Sequence, residues 1–420
     1  MAEVPAVQIL EKDNHANQHI VSLPDEVPYP ALTTSSSLRL RTKVMSLTVN
    51  NLTYAKIGFL FKWWDFHPLP PSTPAEYKDP DKYGRINCWG FAEVLESTAP
   101  SVPKGSYVYG YLPLDTLAQD LTIREGEVPG QIWVTSDHRK DVMPFYNRYL
   151  VFPASLKEKI EAKADSVAMD AAVRVVYETS YLLNRFAFAE SPEDVLHPAR
   201  DTSRPWTAAE ASLSGATVVV FAPGSKTAAA FAFEVRHARK QVKAKRIIGA
   251  ASDYSKSFVE GTNLYDEVVN TSSSPSELLS RLQVGKDERV VVIDFGGRAG
   301  VAARWADEIQ GSYGNRNLTM LSVGPSVDGK GPQEVLQSLG RATGGAMVSS
   351  ANDMRLRAIE KLGEREYWEG LNSAWEEFRD RAVIKGLKFK WGEGMNDVKE
   401  GWDALCKGNI SPDEGLIFLL

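Results

Sequence analysis

The sequence has 420 residues, and at typical domain sizes a chain of this length is predicted to form two or three domains. Its 48 basic and 54 acidic side chains give a net charge of −6, so it lacks the basic surface expected of a nucleic-acid-binding protein. Its two cysteines, Cys88 and Cys406, belong to no C-x-x-C pair or Cys/His cluster, which excludes a disulfide scaffold and predicts no metal site.

The first part of the chain is predicted to be rich in β-structure. Residues 1–37 are polar and interrupted by prolines, which predicts a loosely ordered leader with one early strand. They lack the basic and apolar stretches of a secretory signal, so we expect a cytoplasmic protein. From Leu38 to about Tyr111 apolar and polar residues alternate as in half-buried strands, and the prolines of residues 67–84 predict a long surface loop.

Helices and strands alternate in the second part. Residues 157–188 have helical periodicity, and from Thr217 onward near-continuous apolar strands are separated by helices. This order predicts a parallel sheet that is covered on both faces. No apolar stretch approaches the roughly 18 residues of a membrane-spanning helix, so we expect no membrane partner. The predicted strands are 217–221, 246–250, 266–270, 289–295, 318–323 and 416–420, and the last long helical stretch is 356–384.

The turn after the first of these strands is a candidate phosphate site. The strand ends at Phe221, and Gly224, Ser225, Lys226 and Thr227 lead directly into a helix, where backbone N–H groups favour an anion. A P-loop needs glycine immediately before the lysine, and Ser225 stands there, so a nucleotide triphosphatase is excluded. The G-x-G-x-x-G fingerprint is also absent, which leaves open a capped strand–helix turn with an exposed lysine.

The end of the second strand bears on the choice of nucleotide. Ser252 and Lys256 suit the 2′-phosphate of NADPH, whereas Asp253 would favour the ribose diol of NADH if it points inward. We expect NADPH over NADH, and Asp253 facing solvent is compatible with either.

Seven segments together resemble a known superfamily. From about residue 38 to 420 the chain is similar to the zinc-free quinone and enoyl reductases of the medium-chain dehydrogenase/reductase superfamily. Within that superfamily it most resembles a bacterial and fungal family with a domain of unknown function. The segments are 49–54, 84–94, 107–113, 146–150, 178–183, 224–228 and 411–417.

The resemblance implies an α/β fold with two domains behind the leader. A GroES-like, β-rich catalytic domain would comprise residues 38–160 and 350–420, and a Rossmann domain with a doubly wound parallel sheet would comprise 161–349. Cofactor and substrate would meet between these domains. The zinc-dependent relatives use cysteine and histidine ligands, and here Cys88 has no histidine beside it, so the resemblance implies no zinc.

The resemblance also implies residue roles. Tyr54 would lie beside the nicotinamide as the proton donor, and Thr179 would approach the nicotinamide carboxamide. A buried strand tyrosine and a helix-packing threonine are the alternatives. From the residues themselves, Trp63, Trp64 and Tyr146 could line a pocket for a planar ligand, or the two tryptophans could be packing beneath a loop.

These inferences lead to one expected function and two alternatives. We expect an NADPH-dependent reductase of an enone, quinone or polyketide-like small molecule. A non-redox lyase, isomerase or cyclase on the same scaffold, or a non-enzymatic NADPH-binding protein, remains open. The apolar edge segment 345–350 and the habits of the superfamily predict a homodimer, with a monomer shielded by the C-terminal helices as the alternative.

Overall fold

The computed structural model describes residues 4–323, 346–381 and 384–420. The chain divides into two units: unit 1 is residues 1–175 and 388–420, and unit 2 is residues 176–387. The strands are β1 Ala6–Glu11, β2 Gln18–Ser22, β3 Ser37–Leu47, β4 Tyr83–Gly84, β5 Asn87–Ser97, β6 Tyr107–Pro113, β7 Gln119–Glu125, β8 Gln131–Val134, β9 Arg148–Phe152, β10 Thr217–Phe221, β11 Arg246–Ala251, β12 Glu267–Asn270, β13 Val290–Asp294, β14 Leu318–Ser322, β15 Met347–Val348, β16 Lys388–Glu393 and β17 Glu414–Leu419.

Helices of the described residues are numbered in the same way. None of them is both long and apolar enough to span a membrane. They are α1 Val49–Phe61, α2 Leu156–Glu161, α3 Asp165–Leu182, α4 Ala208–Ala211, α5 Lys226–Phe233, α6 Asp253–Thr262, α7 Pro275–Arg281, α8 Val301–Gln310, α9 Ala351–Leu362, α10 Glu364–Arg381 and α11 Gly394–Cys406.

Unit 1 is built on a closed antiparallel barrel. The sheet runs β16-β17-β3-β5-β6-β9-β8-β7, and a further pairing of β3 with β7 closes its last six strands into a ring. Two glycines opposite each other, Gly90 on β5 and Gly110 on β6, permit close packing. A Cβ at Gly90 would lie 2.0 Å from the Val44 carbonyl oxygen, and one at Gly110 would lie 2.6 Å from the ring of Tyr149.

Two parts of unit 1 differ from what the sequence predicted. The expected loose leader forms β1 and β2, which join β4 in a three-stranded sheet with Val7 and Ile9 fully buried. The Gln18 amide donates to Asp403 of α11 at 2.6 Å, which anchors this sheet to the C-terminal helix. The segment 49–61, predicted within a β-like region, is helix α1, because Thr48 and Asn51 form a capping box at its start. Tyr54 therefore lies on a helix.

Unit 2 contains the predicted parallel sheet. The order is β12-β11-β10-β13-β14-β15, which is the 3-2-1-4-5-6 order of a Rossmann sheet. All five pairings are parallel. The strand β10 is buried along its whole length, as the continuous apolar sequence predicts for a strand covered on both faces.

The boundary between the units differs from the predicted one. The sequence predicted that the chain returns to the first domain from residue 350, whereas only residues 388–420 belong to unit 1. The reason is a buried network within unit 2. Arg355 of α9 pairs with Glu178 of α3 at 2.6 Å, and the hydroxyl of Tyr367 on α10 donates to the same carboxylate at 2.6 Å. These contacts keep α9 and α10 with the second unit.

Candidate functional site

The parallel sheet of unit 2 has a switch point between β10 and β13. The strand order reverses there, and the loops that follow these two strands diverge, which leaves a crevice at the carboxyl ends where nucleotides bind in sheets of this kind. The predicted turn at residues 222–225 follows β10, so the structure places it at this crevice.

The turn itself is fixed by its own hydrogen bonds. Ala222 has a positive φ of 50°, and the Pro223 carbonyl accepts a hydrogen bond of 2.8 Å from the buried hydroxyl of Tyr265. Ser225 is the N-cap of α5, with its side chain accepting from the N–H of Ala228 at 3.2 Å. A Cβ at Gly224 would lie 3.3 Å from a Val259 methyl carbon, so a larger residue there would crowd the turn. The sequence thus forms a rigid, helix-opening turn.

The first turn of α5 is tied to helix α3. Ser180 donates from its hydroxyl to the Thr227 carbonyl at 2.8 Å, so Thr179, the residue before it, lies close to the turn. Lys226 is half-buried, and burial lowers the pKa of its ammonium group to about 8. A bound anion would favour the charged form of this lysine. The predicted residues Thr179, Gly224, Ser225, Lys226 and Thr227 therefore lie in one region of unit 2.

A second loop at the switch point was missed by the sequence analysis. Asp294 ends β13, and its carboxylate accepts backbone hydrogen bonds from Gly296 at 3.0 Å and Gly297 at 2.5 Å. Burial raises the pKa of Asp294, and these two hydrogen bonds oppose that shift. A Cβ at Gly297 would lie 3.4 Å from that of Phe221, the last residue of β10, so this loop packs closely against the end of that strand. An acid followed by two glycines at the end of an apolar strand is the signal that could have identified this loop.

The residues predicted to determine the preference for NADPH over NADH lie after β11. Ser252 is exposed, and its hydroxyl lies 3.2 Å from that of Ser255. The Lys256 ammonium lies 3.9 Å from the Glu260 carboxylate, and both side chains are exposed, so this ion pair is weak. Asp253 is also exposed, and its carboxylate accepts a hydrogen bond from the side-chain amide of Asn270.

Unit 1 contains a continuous group of aromatic rings, here called the aromatic cluster. Tyr54 contacts Trp63 with ring centroids 4.8 Å apart, and Tyr111 contacts Tyr146 at 4.5 Å. Tyr54 and Tyr111, with ring centroids 5.3 Å apart, join these two pairs, and Trp89 packs on Tyr111 at 5.4 Å. The members are Tyr54, Trp63, Phe66, Trp89, Tyr109, Tyr111, Phe145 and Tyr146.

The hydroxyl of Tyr54 lies inside this cluster. It accepts a hydrogen bond of 3.2 Å from the indole Nε1 of Trp89 and is also hydrogen-bonded with Tyr146. Only 6% of Tyr54 is exposed, and burial raises the pKa of its hydroxyl to about 12. Tyr54 is therefore a neutral phenol at ordinary pH, which can donate a proton or a hydrogen bond.

The two predicted pocket tryptophans occupy different places. Trp63 belongs to the aromatic cluster, where its ring lies 6.1 Å from that of Tyr146. Trp64 packs instead against two glycines: a Cβ at Gly58 would lie 2.6 Å from its ring, and one at Gly84 would lie 2.7 Å from it. The structure brings Trp63 and Tyr146 together with Tyr54, and it places Trp64 in a packing role beside β4.

A buried cationic group beside the aromatic cluster was also missed. Arg139 is fully buried and donates to His67 at 3.0 Å and to the hydroxyl of Tyr149 at 3.1 Å. Burial, reinforced by the positive charge of Arg139, holds the pKa of His67 well below its usual value, so His67 is neutral. The two residues are 72 positions apart in the sequence, so local sequence patterns cannot reveal the pair.

The single cysteine of the barrel faces the core. The Cys88 sulfur lies 3.6 Å from that of Met45 and 3.5 Å from the Leu112 carbonyl oxygen, and burial raises the pKa of the thiol well above its usual value. Within residues 4–323, 346–381 and 384–420, no group of three or more His, Cys, Asp or Glu side chains could hold a metal ion.

A barrel unit and a parallel sheet of Rossmann order in one chain make up a fold that solved enoyl reductases share. The structure is similar to a mutant enoyl thioester reductase from Candida tropicalis, with a TM-score of 0.55 and 12% identity over 100% of both chains. It is similar to the CurK enoyl reductase (TM-score 0.53, 11% identity, 99% of both chains). It is also similar to a mycobacterial protein complexed with NADPH (0.51, 13%, 99% of this chain and 100% of that chain). At these identities the likeness shows the fold.

The chain belongs to the family described as "Protein of unknown function (DUF2855)", whose model matches residues 45–411. This match and the shared fold confirm the resemblance that the sequence predicted, both to a family with a domain of unknown function and to the reductase superfamily. No curated protein matches the chain.

Proposed function

We propose that the protein is a zinc-independent, NADPH-dependent reductase of a small molecule of the enone, quinone or polyketide-like class. The observation that carries this proposal is the turn Gly224–Thr227 at the switch point of a sheet with Rossmann order. Similarity to enoyl reductases and to a protein complexed with NADPH supports it.

The residues at the switch point fit a dinucleotide. The opening turn of a helix offers backbone N–H groups that the helix itself does not pair, and Lys226 and the Ser225 hydroxyl add a cation and a further donor for a pyrophosphate. Gly224 has no side chain to cover the backbone of the turn, and Gly297 allows the loop after β13 to pack closely on the end of β10. The turn departs from the usual fingerprint in having Ala222 at positive φ where a glycine would be unstrained.

The other nucleotide contacts follow from position in the sheet. Ser252 and Lys256 follow β11 and would bind the 2′-phosphate, where a charge-assisted hydrogen bond from the lysine is strong. Thr179, beside the Ser180 hydroxyl that contacts the turn, would bind the carboxamide. When bound, NADPH supplies a hydride equivalent.

Tyr54 is the proton donor in this proposal. Tyr54 is kept protonated by burial and held by Trp89, which suits a general acid that donates to a developing enolate or phenolate oxygen. The surrounding rings of Trp63 and Tyr146 favour a planar, apolar substrate group. This chemistry requires no metal to polarise the carbonyl.

The test separates nucleotide binding from redox turnover. Titration of the full chain with NADPH and NADH, followed by tryptophan fluorescence and calorimetry, is expected to show saturable binding with NADPH the tighter ligand. A panel of enones and quinones is then expected to consume NADPH, measured by loss of its near-ultraviolet absorbance. Binding without turnover of any of these would favour a non-redox enzyme or a nucleotide-binding protein. Absence of binding would refute the proposal.

A further inference from the structure

The acidic residue that follows β11, Asp253, is hydrogen-bonded to a side-chain amide. Asp253 is the first residue of α6, two residues beyond the end of β11, and its carboxylate accepts a hydrogen bond from Nδ2 of Asn270. The orientation of that amide is fixed at its other end, because Oδ1 of Asn270 accepts from the N–H of Ser272 at 2.8 Å and from its hydroxyl at 2.7 Å. Asn270 therefore presents a hydrogen-bond donor to Asp253.

The strand order of the sheet shows to which side of β11 Asn270 draws the Asp253 carboxylate. The strand β11 lies between β10 and β12, and the Gly224 turn follows β10. Asn270 is the last residue of β12 and pairs in register with Ala251, the last residue of β11. The hydrogen bond therefore draws the Asp253 carboxylate toward β12, on the side of β11 opposite to the turn.

The position of this carboxylate matters for nucleotide choice. An acid that is free at the end of the second strand accepts hydrogen bonds from the ribose diol of NADH, and its charge repels a 2′-phosphate. We propose that Asn270 is a specificity-determining residue: it holds Asp253 away from the ribose and leaves Ser252 and Lys256 to bind the 2′-phosphate of NADPH. This inference rests on the proposed function, since it requires a nucleotide at the switch point.

The test is a double-mutant cycle in which nucleotide binding is measured and turnover is not. Dissociation constants for NADPH and NADH are measured by fluorescence and calorimetry on the full chain for the wild type, Asn270→Ala, Asp253→Asn and the double variant. Asn270→Ala is expected to lower the preference for NADPH about ten-fold, because a released carboxylate close to the phosphate costs this much at moderate screening. Asp253→Asn alone is expected to change the preference for NADPH by less than about two-fold. In the Asn270→Ala background, Asp253→Asn is expected to restore the wild-type preference.

The possible outcomes separate a failure of this inference from a failure of the proposed NADPH-dependent function. An unchanged preference in Asn270→Ala, or a fall that persists in the double variant, overturns the role of Asn270. Asp253→Asn replaces an exposed side chain by an isostere, so it keeps the test decisive if Asn270→Ala folds poorly. A large gain in the preference for NADPH from Asp253→Asn alone would mean that Asp253 already acts on the nucleotide. That result also overturns the inference. A wild type that binds neither nucleotide overturns the proposed function as well.

Discussion

The indole Nε1 of Trp89 donates a 3.2 Å hydrogen bond to the hydroxyl oxygen of Tyr54. An indole N–H can only donate, so this contact occupies a lone pair of the phenol oxygen and leaves the phenolic proton available for donation. The pair links a barrel strand, β5, to helix α1 within unit 1.

Replacement of Tyr54 by phenylalanine tests the proton-donor role that we propose. Tyr54→Phe is expected to lower kcat about 100-fold or more, since a positioned general acid contributes about 10²–10⁴-fold, and to leave NADPH affinity unchanged. The matched control is Tyr109→Phe, because the buried Tyr109 hydroxyl has no hydrogen-bond partner among the described residues. Equal losses of kcat in the two variants would argue for packing alone.

The turn lysine predicts a pH dependence of nucleotide binding. Burial lowers the pKa of Lys226 to about 8, so the lysine loses its charge as the pH rises through 8, whereas the pyrophosphate that we propose it binds stays ionised. The dissociation constant for NADPH is expected to rise about ten-fold from pH 7 to pH 9. Calorimetric titrations across this range measure it. Lys226→Met is expected to bind more weakly and with little pH dependence, and the same slope in both proteins would contradict the assignment.

A buried carboxyl group in unit 2 predicts a pH-dependent stability. Glu234 accepts a 2.7 Å hydrogen bond from the Tyr177 hydroxyl, and burial raises its pKa from 4.5 to about 7. The folded protein therefore retains a proton that the unfolded chain releases. The stability that this proton provides is fully present below pH 4.5 and is lost as the pH rises through 7.

Glu234→Gln keeps the shape of the side chain and removes the ionisation. The variant is expected to be more stable than the wild type at pH 8, by about 2–3 kcal/mol in the free energy of unfolding of unit 2, and to lose this advantage near pH 5. Denaturant unfolding followed by tryptophan fluorescence measures the difference, with Trp375 packed on Tyr177 as a local reporter. A stability difference that is the same at both pH values would refute the prediction.

The chemistry of Cys88 predicts that chelators have no effect. Its thiol is buried against Met45, so it is not placed to join a catalytic zinc site of three protein ligands. Dialysis against a strong chelator is expected to leave the melting temperature and NADPH affinity unchanged. Zinc that survives this treatment at one equivalent per chain, with activity that depends on it, would contradict the zinc-independent proposal.

The end of the parallel sheet bears on the predicted homodimer. The outermost described strand on this side is β15, where Val348 is 36% exposed, and part of the predicted edge segment, Gly345, lies outside the described residues. Light scattering is expected to give twice the chain mass of 46.4 kDa at micromolar concentration, and Val348→Lys is expected to shift the protein toward monomer. A wild-type mass that stays at one chain would refute the dimer.

Sequence reasoning succeeded where burial is continuous along the chain. Strands such as β10 and β13 are uniformly apolar, because a parallel sheet covered on both faces buries every residue, and this pattern is legible in a single sequence. The turn at residues 224–227 could be proposed as a phosphate site because its glycine, hydroxyls and lysine are adjacent in the chain, and that role stays a prediction. The Asp294–Gly297 loop carried a comparable signal that was not used.

The features that the sequence analysis missed leave no periodic pattern of apolar residues in the chain. Helix α1 is apolar on several faces, with Val49, Phe59 and Leu60 exposed, so its pattern does not indicate a helix. The pairing of Arg139 with His67 and the grouping of Tyr54 with Trp89 depend on contacts between residues that are distant in sequence. The fold of unit 1 brings them together.

The chain order of the two units has a consequence for synthesis on the ribosome. Unit 2 is one continuous segment, so it can begin folding as soon as residue 387 has emerged. Unit 1 needs β17, which pairs with Val44–Leu47 of β3, and the Leu420 N–H that donates to the Lys43 carbonyl at 2.8 Å. Until those last residues emerge, one edge of β3 has unpaired backbone groups. Nascent chains in which residue 387 has emerged and Glu414 has not should therefore be the species that recruits chaperones and aggregates most readily.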